Sequence, residues 1–482
     1  MFWRGLIGYL PANIVQGVVG VLTLLFFTRV LSADQFGQYA LAFSVMSIAH
    51  VAVFTWLEAA MARFWAAQTT EAAMRSHFAT LHRYFALLTV IYVPVAALLV
   101  WLWPLAPDLK FAVAVGLAGV PIRSAYRLLQ ERRRAAGAVA ASAGLDIAVT
   151  VLGFIAGLAA VGLGAGGAAP LIGLAIAPFL AALIYSRSEW RRGTHGAVLR
   201  SRAQDYARYG YPVAASLILA LVLSSTDRLV LATFLDEAAV GAYHAGYSLA
   251  NRTLDVMFIW LGAASGPALV MALERGGASA LKAAAREQAG TFLLIALPAA
   301  VGVALVSQPL ADLIIGEQLR DQAAAVTPLI AVSALMAGLT TYYFHQAFTL
   351  SRRTGRLLQA MAIPALVNLG LNVVLIPRMG VMGAALATAL SYGVGILASW
   401  GLGRRALALP VPWNALLRCG LATAVMALAV SRLPAAGGLE ELVLKASVGA
   451  VVYGLAAWLL NAADVRGHGI RVLKTFQSRL AA

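Results

Sequence analysis

The sequence predicts an all-α integral membrane protein with about fourteen transmembrane helices. Three observations carry this: 61% hydrophobic residues against only 12% charged, a succession of apolar runs long enough to span a bilayer, and Lys/Arg residues gathered in alternate connections. A soluble domain carries about 25% charged residues, so most of this surface must face lipid.

The apolar runs fall near 6–28, 38–61, 84–103, 111–130, 141–162, 168–186, 209–234, 241–263, 290–308, 323–350, 356–376, 381–402, 414–431 and 440–461, here called spans 1–14. Span 1 has the length of a membrane helix and no small-residue cleavage site after it. It reads as a span anchored by Arg4, not a removable leader. The single cysteine, Cys419, excludes an intramolecular disulfide framework and reads as a small packing residue.

With a cytoplasmic N-terminus, about 25 Lys and Arg fall inside and about 6 outside. The inside set includes Arg132, Arg133, Arg134, Arg187, Arg191, Arg192, Arg352, Arg353, Arg356, Arg404 and Arg405. The outside set is Arg29, Lys110, Arg320, Arg378, Arg432 and Lys445. Both termini are then cytoplasmic. The net charge of +16 is a topology signal, pointing to anionic headgroups and away from nucleic acid. The tail 464–482 reads as an amphipathic surface helix or a frayed basic end.

An internal repeat organises the spans. Gly8-Tyr9-Leu10-Pro11 answers Gly210-Tyr211-Pro212, and the stretch from Leu31 to Tyr39 answers that from Leu235 to Tyr243. Pro94 answers Pro298, Pro121 answers Pro328, and Gly164–Ala169 answers Gly380–Ala385. Six spans per copy makes this a parallel repeat. The expected parts are an N-lobe 1–186, a basic cytoplasmic linker 187–208, a C-lobe 209–403, two further spans within 404–461 and a basic tail 462–482. Two such lobes predict a central cavity opened alternately to either side. Gly153 and Gly157 form a small-xxx-small pair for close helix packing.

Ionisable residues inside spans are costly and face a cavity or a partner. Span 8 holds Asn251, Arg252 and Asp255; the last two share a face, as an ion pair or with Arg252 free for an anion. Span 7 holds Asp227 and Arg228, neighbours pointing apart, so each is expected to take its own interhelical partner. Span 2 holds His50 and Glu58, eight apart; Glu58 is a candidate coupling-ion site or reaches water near the inner end. Asn13, Gln16, Gly20 and Thr23 form a polar stripe on span 1, Thr341, His345 and Thr349 one on span 10, and Asn368 and Asn372 one on span 11. Each lines a hydrated path or bonds between helices. Arg123 and Arg127 read as snorkelling from the cytoplasmic end of span 4. No P-loop, metal-ligand cluster or nucleophile elbow is present, and the outer connections are short, so no enzyme is expected.

Arg29–Tyr39, Thr226–Leu231 and Asn372–Ala385 look like recurring signatures of one family. Over about residues 1–461 the chain resembles the polysaccharide flippases of the multidrug/oligosaccharidyl-lipid/polysaccharide exporter superfamily. The resemblance implies a V-shaped bundle of two six-helix lobes in the cell inner membrane. It implies movement of an isoprenoid diphosphate-linked oligosaccharide for lipopolysaccharide, exopolysaccharide or related surface polymers, alongside membrane lipids and other polysaccharide-assembly proteins. Arg252 is the first candidate for the diphosphate, followed by Arg228 and Arg29, with Asn251 and His345 beside them. Glu58, Asp255 and Asp227 are candidate coupling groups. No cofactor is expected beyond a coupling proton or sodium ion. Related lipid II flippases also carry spans 13 and 14. A drug/cation antiporter of the superfamily and a membrane glycan polymerase or ligase are the other readings.

Overall fold

The computed structural model describes residues 2–467. Among them there is no β-strand, and twelve helical stretches are long and apolar enough to cross a bilayer. Two of the twelve are double. Helix α10 (Glu237–Leu305) has 69 residues, about 100 Å at the helical rise of ~1.5 Å per residue, against a hydrocarbon core of ~30 Å. It breaks at Gly277, φ 66°, and Leu269 then packs in one cluster with Leu281 and Ala285 beyond the break. Helix α14 (Thr354–Arg404) breaks likewise at Gly380, φ 58°. The doubled stretches bring the spanning helices to the fourteen expected, and the chain is a multi-pass membrane protein.

Residues up to His244 form one compact unit and those from Ala245 a second. The first contains α1 (Phe2–Val30), α2 (Ala33–Val53), α3 (Thr55–Phe64), α4 (Glu71–Leu102), α5 (Pro107–Ala135), α6 (Val139–Gly162), α7 (Ala169–Tyr185), α8 (Arg187–Thr194), α9 (Arg200–Phe234) and the first turns of α10. Helix α4 begins well before residue 84 and α9 before residue 209, because both continue as polar helix beyond their apolar runs. These extensions hold the linker: Ser76 Oγ donates to the Ala197 carbonyl at 2.6 Å, and Arg202 donates to Gln68 Oε1 at 2.9 Å and the Ala73 carbonyl at 3.0 Å. Arg132 pairs with buried Glu189 of α8, Nε to Oε1 2.6 Å. Burial pushes the Glu189 carboxyl above its usual range, with Arg132 pulling the other way. The glycines of α6 act as predicted: at Gly153 and Gly157 a Cβ would meet the backbone of Gly173 and Pro170 in α7.

The second unit continues α10 and adds α11 (Ser307–Ile314), α12 (Glu317–Leu339), a π-helical turn at Thr340–Phe344, α13 (Gln346–Leu350), α14, α15 (Trp413–Ser431) and α16 (Gly438–Leu459). Cys419 is buried among Leu293, Ala422, Ala456 and Ala457, as a packing residue. The tail predicted to be amphipathic lies, beyond Gly467, outside the described residues.

Repeat landmarks recur as the same local chemistry. Ser32 caps α2 in a capping box: Gln35 N donates to Ser32 Oγ and Ser32 N to Gln35 Oε1, both 3.2 Å. Asp236 caps α10, accepting from Ala239 N at 2.7 Å. Gly164 and Gly380, which correspond in the repeat, both hold positive φ, 82° and 58°. The two capped starts also touch. A Cβ on Gly37 would fall on the Glu237 carbonyl, one on Gly241 would meet Ala33 O and Gly37 N, and Gln38 Nε2 donates to Glu237 Oε2 at 2.6 Å.

Gly37→Ala has only backbone to push against. Thermal unfolding of the purified protein should show a loss of about 1–3 kcal/mol, whereas Gly17→Ala, with nothing within 4 Å, should show no loss, Ala being the better helix former.

Candidate functional site

The chemistry-bearing groups lie inside the spans. Span 2 is broken at Phe54 into α2 and α3. Eight residues of straight helix rise about 12 Å; across the break His50 Nε2 and Glu58 Oε1 come to 2.9 Å, and Ser124 Oγ of α5 donates to the same oxygen at 2.9 Å. Glu58 is 8% exposed and His50 7%. The expectation that Glu58 reaches water is therefore corrected: the break turns it inward onto His50.

Arg123 sits one residue before Ser124. Since α5 runs to Ala135, Arg123 lies about 18 Å from the helix end, beyond the reach of a snorkelling arginine. It is half-buried, within electrostatic range of Glu58, Arg127 and Tyr39, and makes no hydrogen bond or ion pair among the described residues. The expectation that it snorkels from the end of span 4 fails because the apolar window ended α5 early. Sequence reading passed over Asp146, a lone acid in span 5. Asp146 is buried and held by Tyr126 Oη at 2.6 Å, Gln130 Nε2 at 2.7 Å and Arg134 Nη2 at 3.1 Å.

Asp227 and Arg228 do take interhelical partners, but they also pair with each other. Tyr243 Oη donates to Asp227 Oδ2, and Arg228 Nε donates to His244 Nδ1 at 3.1 Å. Asp227 Oδ1 accepts from the Arg228 backbone N–H at 2.9 Å and lies 3.3 Å from Arg228 Nη1. Arg228 also donates to the Ser224 carbonyl and lies over the Tyr243 ring at 5.6 Å. The expectation that adjacency precludes pairing fails because a long guanidinium bends back to its neighbour's carboxylate. Arg228, 4% exposed, and Asp227, 0% exposed, are closed into this network. Arg29 is exposed at the end of α1, where Nη1 donates to the Leu25 carbonyl at 2.9 Å and complements the helix C-terminus. On α1, Asn13 and Gln16 are exposed, while Thr23 bonds back to Val19 O at 2.6 Å.

In the second unit the pattern reverses. Arg252 and Asp255 lie on one exposed face of α10 with Val256, Ile259 and Trp260, and no ion pair closes between them. Neither makes a hydrogen bond among the described residues; Asn251 beside them is half-buried. His345 follows the π turn, its N–H bonding to Thr340 O, five residues back. That extra residue moves His345 off the face predicted for Thr341, and its Nε2 lies 3.3 Å from Ser399 Oγ of α14. Asn368 and Asn372, both fully buried, bond along one helix, Nδ2 to Oδ1 2.9 Å, instead of between helices. Among the described residues no three His, Cys, Asp or Glu side chains converge as a metal site.

The sequence profile of polysaccharide biosynthesis proteins matches residues 26–324. The chain belongs to that family. The matched region holds Arg29, Glu58, Arg123, Asp227, Arg228, Asn251, Arg252 and Asp255, and leaves out His345. No curated protein matches the chain. Among solved structures, a lipid II flippase, MurJ, in an inward closed conformation superposes with TM-score 0.75 at 12% identity, covering 94% of this chain and 99% of its own. An inward-facing multidrug resistance transporter of the MATE family gives TM-score 0.64 at 14% identity, covering 82% and 98%. The Vibrio cholerae MATE transporter VcmN in its bent form gives 0.53 at 18%, covering 84% and 97%. At these identities the likeness is one of fold alone.

Breaking the Asp227 network tests its structural role. Asp227→Ala strands the buried guanidinium and should cost about 3–5 kcal/mol. The double variant with Arg228→Met should cost less than Asp227→Ala alone in the same unfolding measurement.

Proposed function

We propose that the protein is a flippase that carries an isoprenoid diphosphate-linked oligosaccharide across the cell inner membrane by alternating access, for assembly of a surface polysaccharide. Membership of the polysaccharide biosynthesis family and a fold shared with exporters support the reading. The observation that carries it is Arg252: a cation in a spanning helix, exposed, with no ion-pair partner among the described residues. A guanidinium there is expensive to leave facing lipid and is suited to bidentate contact with a phosphate. Arg252 is assigned to the diphosphate, with Asn251 and Asp255 at its sides. Arg123 is the second cation, in the first unit.

In this reading Glu58 with His50, and Asp255, are the groups that exchange a proton or sodium ion as the cycle returns. Each is a carboxylate inside a span whose charge changes on protonation or ion binding. The protein acts as a transporter, and the sugar chains are made and joined by other proteins.

The deletion strain should accumulate lipid-linked oligosaccharide on the inner leaflet and lose the surface polymer. Arg252→Ala and Arg123→Gln, expressed at wild-type level, should each restore less than about a tenth of the polymer, the scale of losing one charge-assisted phosphate contact. Full restoration by Arg252→Ala would remove that residue from the mechanism. A lethal deletion rescued only by a lipid II flippase would replace the proposed substrate with lipid II.

A further inference from the structure

Between the α13–α14 turn and the end of α14, a cavity of about 590 Å³ is lined by Arg353, Gly355, Arg356, Gln359, Leu402 and Arg405. Three guanidinium groups line it and no carboxylate does. Arg353 is fixed by its Nη1 donating to the Arg405 carbonyl at 2.8 Å. Arg356 Nη1 is buried without a hydrogen-bond partner, an arrangement that is rare in folded proteins. The first turn of α14, which begins here, has no side-chain cap. Arg404, by contrast, is occupied by the Trp400 ring at 4.9 Å and does not line the cavity.

The internal repeat supplies a comparison. The end of span 4 and the end of span 6 correspond to the end of span 10 and the end of span 12. In the first copy two of the arginines there pair with acids: Arg132 with Glu189, and Arg134 with Glu131 and Asp146, each of the last two at 3.1 Å. The second copy keeps the arginines and lacks the acids. Like charges gathered without counter-charge repel unless an anion joins them.

The lipid side of the cavity indicates where that anion comes from. Ile363 and Leu366, one and two turns along α14 from Gln359, are 40% and 69% exposed. Acyl chains laid on this apolar surface bring a headgroup to the arginines. The turn lies on the face that the Lys/Arg distribution assigns to the cytoplasm.

We propose that this cavity binds the phosphate of an anionic phospholipid, held by Arg353, Arg356 and Arg405 at the start of α14, with its chains on the Ile363–Leu366 surface. The site stands apart from Arg252 and does not rest on the flippase reading.

Native mass spectrometry of the full chain in detergent, titrated with phosphatidylglycerol, phosphatidylcholine or inorganic phosphate, tests it. Phosphatidylglycerol should bind about tenfold or more tightly than phosphatidylcholine. The Arg353→Gln, Arg356→Gln, Arg405→Gln triple variant should lose that preference, and Arg352→Gln, an exposed arginine outside the cavity, should keep it. If the triple variant is not monodisperse, Gln359→Glu decides: an acid in the cavity should abolish the preference. Equal preference in the wild type and these variants overturns the proposal. Displacement of the lipid by millimolar inorganic phosphate overturns the lipid as source and leaves a free-phosphate site.

Discussion

The contact on which the first unit depends is a backbone-to-backbone crossing at Gly37 and Gly241. Only residues without Cβ allow the start of α2 to touch the start of α10 this closely, and Gln38 locks the crossing with a hydrogen bond to Glu237. The rest follows from this proximity. Tyr243 and His244, about two turns along α10, reach Asp227 and Arg228 on α9 because the crossing fixes where α10 begins. His244 then packs on Phe36 and Tyr39 at ring distances of 5.7 and 5.9 Å. The signature segments Arg29–Tyr39 and Thr226–Leu231, conspicuous in the sequence as separate strings, belong to one interlocked structure.

The two units treat their intramembrane charges differently. In the first, Asp146, Asp227, Arg228 and the His50–Glu58 couple are enclosed by hydrogen-bond partners, which offsets the cost of holding them away from water. Arg123 is the exception. In the second, Arg252 and Asp255 stand open on a helix surface. The enclosed charges are satisfied within the fold, whereas Arg252 and Asp255 make no hydrogen bond or ion pair among the described residues.

Spans, repeat and family were legible in the sequence because they rest on composition and on ordered landmarks such as Gly164 and Gly380, whose positive φ requires glycine. What was not legible came from two physical sources. Apolar windows end where polar helix begins, so α4, α5, α9 and α10 all ran longer than expected, and Arg123 was misplaced toward a surface. Periodicity also assumes an unbroken helix, and neither the π turn before His345 nor the break at Phe54 announces itself in local chemistry. Side-chain pairing was partly readable: spacing put His50 and Glu58 on one side, but adjacency misled for Asp227 and Arg228.

The break at Phe54 has no proline or glycine near it. Phe54 is fully buried against the rings of Phe85 and Tyr92, at 5.6 and 5.7 Å, so the bend is imposed by what surrounds the segment. Proline-bent helices carry their kink wherever they go; this one does not, and its unconstrained shape is a straight rod. Whatever loosens that aromatic socket therefore also draws His50 away from Glu58, tying the geometry of a helix to the bonding of a carboxylate through nothing more than packing.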